Sequence, residues 1–391
     1  LIELEIVFRR FYIFDEIQKT KMMKNKLAIF AFLLTAITSQ AQYNGYTMHE
    51  LFFGHQPSAR AEALGQGYGS IGGDIYSTFY NPAGLGQVQG LQFDGNYSSA
   101  PSFMLDEAYY SYLGIGYNIN KYIQCAISEF HFDWGQDISF TDENGNIIGT
   151  VRPYSTNYVL TASSNPINNL YLGVNANLIL YKPLDIDPFQ SWTFDFGALQ
   201  AIPLFKDCEN LNALQAGASI KNFTGSKMKF EYNEHNQSEE LPVIARIGLN
   251  YTFGLKPNAN YKDLRIIQAM ALIEYQDVLN YKYLSAYRIG CEATVFEILA
   301  LRIGYYYETW DDLGQANNYN AKKDFTYGLG INVPFEKITK NNLPLNIKIN
   351  YTNLKQPGVS VHYDNVDNFN SVGLSVNYRF GARKGEEAGE E

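Results

Sequence analysis

The sequence is short of what most function classes require. Its three cysteines, Cys125, Cys208 and Cys291, are widely spaced and odd in number, so neither a disulfide framework nor a cysteine-based metal motif is legible. The five histidines, His49, His55, His131, His235 and His362, have no ligand spacing, and no metal site is expected. No nucleophile elbow or metalloprotease helix occurs. The carboxylate pairs Asp311-Asp312 and Glu239-Glu240 fall in expected loops and read as solvated surface. Neither a cofactor nor an enzymatic activity is therefore expected. Basic residues are also in deficit, 30 Lys and Arg against 40 Asp and Glu for a net charge of −10, which excludes the basic stripe that nucleic acid needs. Beyond the first 41 residues no apolar run is long enough for a transmembrane helix.

What is abundant is aromatic. Phe, Trp and Tyr make up 15% of the chain, with 31 Tyr and 25 Phe, yet the mean hydropathy is only −0.24. Amphipathic rings at that density suit the girdles of a membrane β-barrel, where hydrocarbon meets water. The N-terminal region carries an address. Met22-Met23-Lys24-Asn25-Lys26, the apolar run Leu27 to Ile37 and the small-x-small pattern Ser39-Gln40-Ala41 read as a secretory signal over residues 22–41. Residues 1–21 lie upstream of it and are expected to reflect a misassigned translation start. Without the first 41 residues the chain loses six basic and four acidic residues, leaving a net −12.

Past residue 90 the hydropathy period is two. Val243, Ala245, Ile247, Leu249, Tyr251 and Phe253 alternate with Arg246, Gly248, Asn250 and Thr252, and the same pattern returns in Leu299, Leu301, Ile303 and Tyr305 and in Val372, Leu374, Val376, Tyr378 and Phe380. Many runs reach about ten residues, the span of a tilted membrane strand, whereas ordinary strands average about five or six. Fourteen strands are expected, near 91–98, 107–118, 121–133, 154–163, 169–182, 189–202, 211–221, 241–253, 263–276, 281–295, 298–309, 322–334, 343–352 and 371–380. The fold class is thus all-β: a transmembrane antiparallel β-barrel over 91–380, with an N-terminal glycine-rich hatch (42–90) in or under the lumen. Short turns at one end and long loops at the other fit the inner and outer sides of an outer membrane. The loop Asp137 to Val151 is expected to form its own hairpin around Asp142-Glu143-Asn144-Gly145. The side of Tyr122 to Phe132 that faces lipid is not assignable by period, and a bulge is one reading. Residues 381–391, GARKGEEAGEE, are expected to be a disordered acidic tail.

The hatch stretch Ser58 to Gly86 contains a literal G-x-G-x-x-G at Gly67, Gly69 and Gly72. A dinucleotide site needs a strand before those glycines and a helix after them; here the order is reversed, so a glycine-rich turn is preferred. Ser58 to Leu64 reads as helical. Asn81-Pro82 reads as a helix cap followed by proline at the first helical position. Facing the expected lumen are Arg246, Arg288, Glu292, Arg302 and Arg379, which either bind an anionic solute or pair with acidic groups such as Asp195, Glu292 and the hatch. Ile266, Met270 and Leu272 share a face with Gln268 and Glu274 and are expected to point inward.

Several stretches resemble a known family. Ser58-Ala59-Arg60-Ala61, Ala63-Leu64-Gly65 with Gly67, Asp74 and Asn81-Pro82-Ala83-Gly84-Leu85 are similar to the N-terminal signature of the PorV/PorQ family, which belongs with the FadL-like outer-membrane barrels. Gly217 to Asn222, Leu241-Pro242, Gly290 to Ala293 and Leu301 to Tyr305 add to the resemblance. It implies a fourteen-stranded barrel in outer-membrane lipid with an N-terminal hatch, whose motif residues here are Arg60, Gly65, Gly67, Asp74, Asn81, Pro82, Ala83 and Gly84. It further implies an accessory role in type IX protein secretion, with secretion-system components and cargo proteins as partners. The alternative is FadL-like transport of a hydrophobic solute across the outer membrane.

Overall fold

The computed structural model describes residues 56–99, 107–142, 144–183, 187–204, 210–232, 235–258, 264–281, 284–311, 319–339, 343–354 and 369–380. The expected signal, the segment upstream of it and the acidic tail lie outside the described residues.

Strong β alternation over about ten residues per run yields long strands. In chain order they are β1 (Leu91–Ser99), β2 (Tyr109–Asn118), β3 (Ile123–Asp133), the short pair β4 (Ile138–Thr141) and β5 (Ile147–Val151), β6 (Tyr154–Ile167) and β7 (Leu170–Lys182). There follow β8 (Phe189–Pro203), β9 (Leu211–Lys221), β10 (Lys227–Tyr232), β11 (His235–Glu240), β12 (Ile244–Gly254), β13 (Pro257–Asn258) and β14 (Leu264–Arg265). The chain continues through β15 (Ile267–Val278), β16 (Ser285–Val295), β17 (Leu299–Asp311), β18 (Tyr319–Pro334), β19 (Leu345–Leu354) and β20 (Phe369–Tyr378). Fourteen of these close one antiparallel barrel in the order β1-β2-β3-β6-β7-β8-β9-β12-β15-β16-β17-β18-β19-β20, and β1 seals it by pairing Leu91 with Tyr378. Closure removes sheet edges, so every wall strand can pair its backbone inside hydrocarbon.

The alternation sorts the side chains as expected. On β1, Phe93 and Tyr97 are exposed to the lipid side while Gln92, Asp94, Asn96 and Ser98 are buried in the lumen. Met270 and Leu272 point inward beside Glu274, and Ile273 points out. Tyr122 to Phe132 has no bulge: β3 pairs with β2 and β6 in continuous register, with Ile127 outside and Phe130 and Phe132 inside. The wall's register shift falls instead between Ser164 and Ile167.

The β4–β5 hairpin forms where expected. A second hairpin, β10–β11, rises from the loop after β9, so Glu239 and Glu240 lie on a strand and Glu240 pairs with Lys227 at 2.9 Å. Its turn has no Asn-Gly or Asp-Gly pair to announce it. Both hairpins stand at the long-loop end.

Candidate functional site

The segment 56–90 lies within the barrel, and its local structure follows from its small residues and caps. Ser58 Oγ accepts from the Ala61 amide at 3.4 Å and starts α1 (Ala59–Ala63), whose alanines let the helix rest on the wall beside β18 and β19. Gly65 leaves the helix at φ +69, and a Cβ there would also strike the Tyr305 backbone, so only glycine fits both demands. Asp74 Oδ1 accepts from Ser77 N at 3.0 Å and opens α2 (Ser77–Tyr80). Asn81 then caps a 3-10 turn (Pro82–Gln87): its Oδ1 accepts from Ala83 N at 3.1 Å while its Nδ2 donates to the carbonyls of Gly69 and Ala198 at 2.8 and 3.0 Å. Ala83 and Gly84 are buried in that turn.

Wall carboxylates clamp this segment. Glu274 accepts from the amides of Tyr68 and Gly69 at 3.0 and 2.6 Å. The Gly67-Tyr68-Gly69 loop therefore does present an anion-binding backbone, and a side chain of the wall fills it. Arg246 and Arg288 flank the same carboxylate at 3.9 and 3.7 Å, and Arg246 Nε also donates to Gln276 at 2.8 Å. Glu292 accepts from Arg60 twice, at 2.9 and 2.7 Å, and from Arg302 Nε at 2.5 Å. On the hatch side Arg60 Nη1 donates to the Tyr68 hydroxyl at 3.2 Å, and Tyr68 donates to Asp74.

Two expectations need correction. Arg379 is not a lumen partner of the hatch: β20 ends at Tyr378, so Arg379 lies at the short-turn rim, half exposed, with Glu336 at 3.6 Å. Asp195 does not pair with the lumen arginines; its oxygens accept from Asn222 N and Asn175 Nδ2, both at 2.9 Å.

Sequence reasoning missed most of the wall's contribution. Ser219, Lys221 and Asn175 donate to the carbonyls of Tyr80, Phe79 and Thr78 at 2.7, 2.7 and 2.9 Å, and Asn250 donates to Ser70 O at 2.5 Å. Thr326 accepts from Gly65 N and donates to Ala63 O. Wall glycines matter equally. A Cβ at Gly304 would overlap Gly65 N, at Gly217 the Gly69 carbonyl, and at Gly173 the Pro82 carbonyl. The available signal was parity: each residue shares the inward face of its strand.

Glu62 on α1 is buried with Gln66 Nε2 3.3 Å away, and burial pushes its pKa up from 4.5 to about 8. Between those values the folded chain keeps a proton that the unfolded chain has lost, so stability falls as pH rises through this window. Glu62→Gln is expected to flatten this dependence, a result read from thermal unfolding in detergent at pH 5 and pH 8.

The lumen differs between its two ends. Toward the long loops Tyr110, Phe130, Phe132, Ile179, Leu241 and Tyr281 are buried in one apolar cluster, with Trp134, Tyr181, Phe189 and Phe230 packed on it. Tyr110 and Phe132 stack at 4.4 Å, and Phe189 meets Phe230 edge-on at 4.8 Å. Toward the short turns the lining is polar: Gln92, Gln268, Asn346, Lys348, Asn350 and Ser375. The described residues hold no group of three or more His, Cys, Asp or Glu placed to share a metal ion.

A closed fourteen-strand sheet with an apolar outer band and a filled lumen defines an outer-membrane, multi-pass β-barrel. No family model and no curated protein matches the chain. Among solved structures it is similar to a Pseudomonas aeruginosa FadL homologue, at 12% identity and TM-score 0.46 over 84% of this chain and 99% of that one. It is also similar to the Ralstonia pickettii toluene transporter TbuX, at 12% identity and TM-score 0.44 over 84% and 98%. A third is the Pseudomonas putida toluene transporter TodX, at 13% identity and TM-score 0.39 over 87% and 99%. The expected type IX secretion role is corrected accordingly. These similar structures are a FadL homologue and toluene transporters, and nothing ties the chain to PorV/PorQ specifically.

Proposed function

We propose that the barrel is a FadL-like channel that passes hydrophobic small molecules across the outer membrane. The observation that carries the proposal is the aromatic lumen at the long-loop end. A lumen that conducts water is polar, whereas here the long-loop end is packed with aromatic side chains, Phe79 of the hatch meeting Phe130 of the wall at 5.4 Å, an apolar surface that would suit an apolar guest once the hatch shifts. Phe130 and Phe132 supply that lining on strand positions where a porin would place polar residues, and β10–β11 adds Met228 and Phe230 from above. The clamped hatch below would hold the guest until it shifts. The test is uptake of a labelled aromatic hydrocarbon by cells with and without the gene. Uptake is expected to fall on deletion and to return with the wild-type gene; equal uptake in both strains would reject the channel.

A further inference from the structure

Two adjoining cavities of about 240 and 200 Å³ open at the short-turn end of the lumen, sharing Asn346, Lys348 and Ser375, and the larger is also lined by Arg60, Tyr68 and Asp74 of the hatch. The register brings two cations together on one patch of its wall. A Cβ at Gly330 would come within 2.7 Å of both Nη atoms of Arg302, so the guanidinium lies over Gly330, whose partner on β19 is Asn350. Lys348 follows on the same inward face one row nearer the mouth, about 7 Å along the strand, with Asn332 and Ser375 opposite it on β18 and β20. The carboxylates around these cations are engaged elsewhere. Glu292 is shared by Arg60 and Arg302, Asp74 lies 3.7 Å from Arg60, and Glu297 is held by Lys337 at 2.5 Å. Asp94, one strand beyond Ser375, accepts from Ile75 N at 2.6 Å and from Gln92 Nε2 at 3.0 Å. Among the described residues Lys348 has neither a hydrogen bond nor an ion pair, while Arg302, its side chain 5% exposed, has its Nη1 unpaired. Two neighbouring cations repel unless an anion lies between them.

The same patch also wants a donor. Asn332 Nδ2 donates to the Glu297 carbonyl at 2.7 Å, which fixes the amide and leaves Asn332 Oδ1 buried without a partner. Asn346 Oδ1, two positions from Lys348 on β19, is likewise buried and unmet. A buried acceptor left without a donor is costly. The unmet chemistry thus has two parts: cations that attract an oxyanion, and amide oxygens that need an O–H. At neutral pH a carboxylate or a sulfate supplies only the first. Inorganic phosphate supplies both, because it keeps at least one O–H beside its charged oxygens, and those oxygens take charge-assisted hydrogen bonds from arginine and lysine.

We propose that this cavity binds inorganic phosphate, with charged oxygens on Lys348 and Arg302 Nη1 and an O–H donating to the amide oxygen of Asn332 or Asn346. The site lies inside the lumen and opens at the short-turn mouth, so it is reached by a water-borne ion rather than by a lipid headgroup. It does not depend on which solute the barrel passes.

Equilibrium dialysis of the full chain in detergent against radiolabelled inorganic phosphate tests this. The wild type is expected to show a single saturable site. Lys348→Met, which keeps a long apolar stem and removes the charge, is expected to weaken binding about tenfold or more. Sulfate has the same shape but no O–H at neutral pH, and on the wild type it is expected to compete at least about tenfold less well than unlabelled phosphate. That comparison needs no variant, so it stands even where Lys348→Met fails to fold. No saturable binding at millimolar phosphate, binding unchanged in Lys348→Met, or sulfate competing as well as phosphate would each overturn the proposal.

Discussion

Replacing Gly304 by valine is expected to turn a closed barrel into a leaky one. Gly304 faces the lumen on β17, where the hatch backbone lies directly against the wall, and a Cβ there would overlap Gly65 N and crowd the Leu64 carbonyl carbon. These obstacles are backbone atoms and cannot swing aside as a side chain would. Overpacking typically costs about 1–3 kcal/mol, and rigid neighbours on both sides place this site at or above the top of that range. The strain falls on the hatch rather than on the wall. Valine suits a strand, and the register of β17 with β16 and β18 uses backbone groups that the substitution leaves alone. In planar lipid bilayers the wild-type barrel should show no steady ionic conductance, and Gly304→Val should conduct. Leu301→Val, on the lipid side of the same strand, should stay closed.

The second large effect is expected at Glu292, the carboxylate shared by Arg60 of the hatch and Arg302 of the wall. Glu292→Ala leaves two guanidinium groups without their anion in a site where the Glu292 side chain itself is only 8% exposed. Breaking a buried pair in this way costs about 3–5 kcal/mol, because the surviving charge keeps its desolvation penalty. Glu292→Gln retains the shape and one acceptor oxygen, so it should cost less. The measurement is twofold: thermal unfolding in detergent, and cleavage by trypsin after Arg60. The wild type should resist cleavage while folded, and Glu292→Ala should be cut there before the barrel unfolds.

The wall was legible in the sequence because lipid enforces a period of two. The run from Ile244 to Gly254 alternates so regularly that strand, face and approximate ends all follow from it. Legibility failed where that rule is reversed. On β3 the upper lumen is aromatic, so Phe130 and Phe132 face inward in the company of Ser128 and Gln124, and no outer face is distinguishable by hydropathy. Arg379 was misplaced for a different reason: the strand ends one residue earlier, and parity has no meaning past a strand end. The hatch clamps were hidden by distance along the chain. Glu274 meets Gly69 across 205 residues, and its choice of a backbone amide pair, rather than an arginine alone, depends on a loop conformation that only the folded barrel defines. The wall glycines were visible but uninterpreted, since a glycine in a strand reads as a weakness until the backbone lying against it is known.

The central claim is that the hatch fills the lumen and must shift for a solute to pass. Ser70 and Gly248 allow a direct test, because a Cβ built on Gly248 would sit 3.3 Å from Ser70 Cβ, close to disulfide range. Uptake of a labelled aromatic hydrocarbon should be measured in cells carrying Ser70→Cys with Gly248→Cys, before and after reduction. Loss of uptake in the oxidised pair and recovery on reduction is the predicted result; equal uptake in both states would contradict the account.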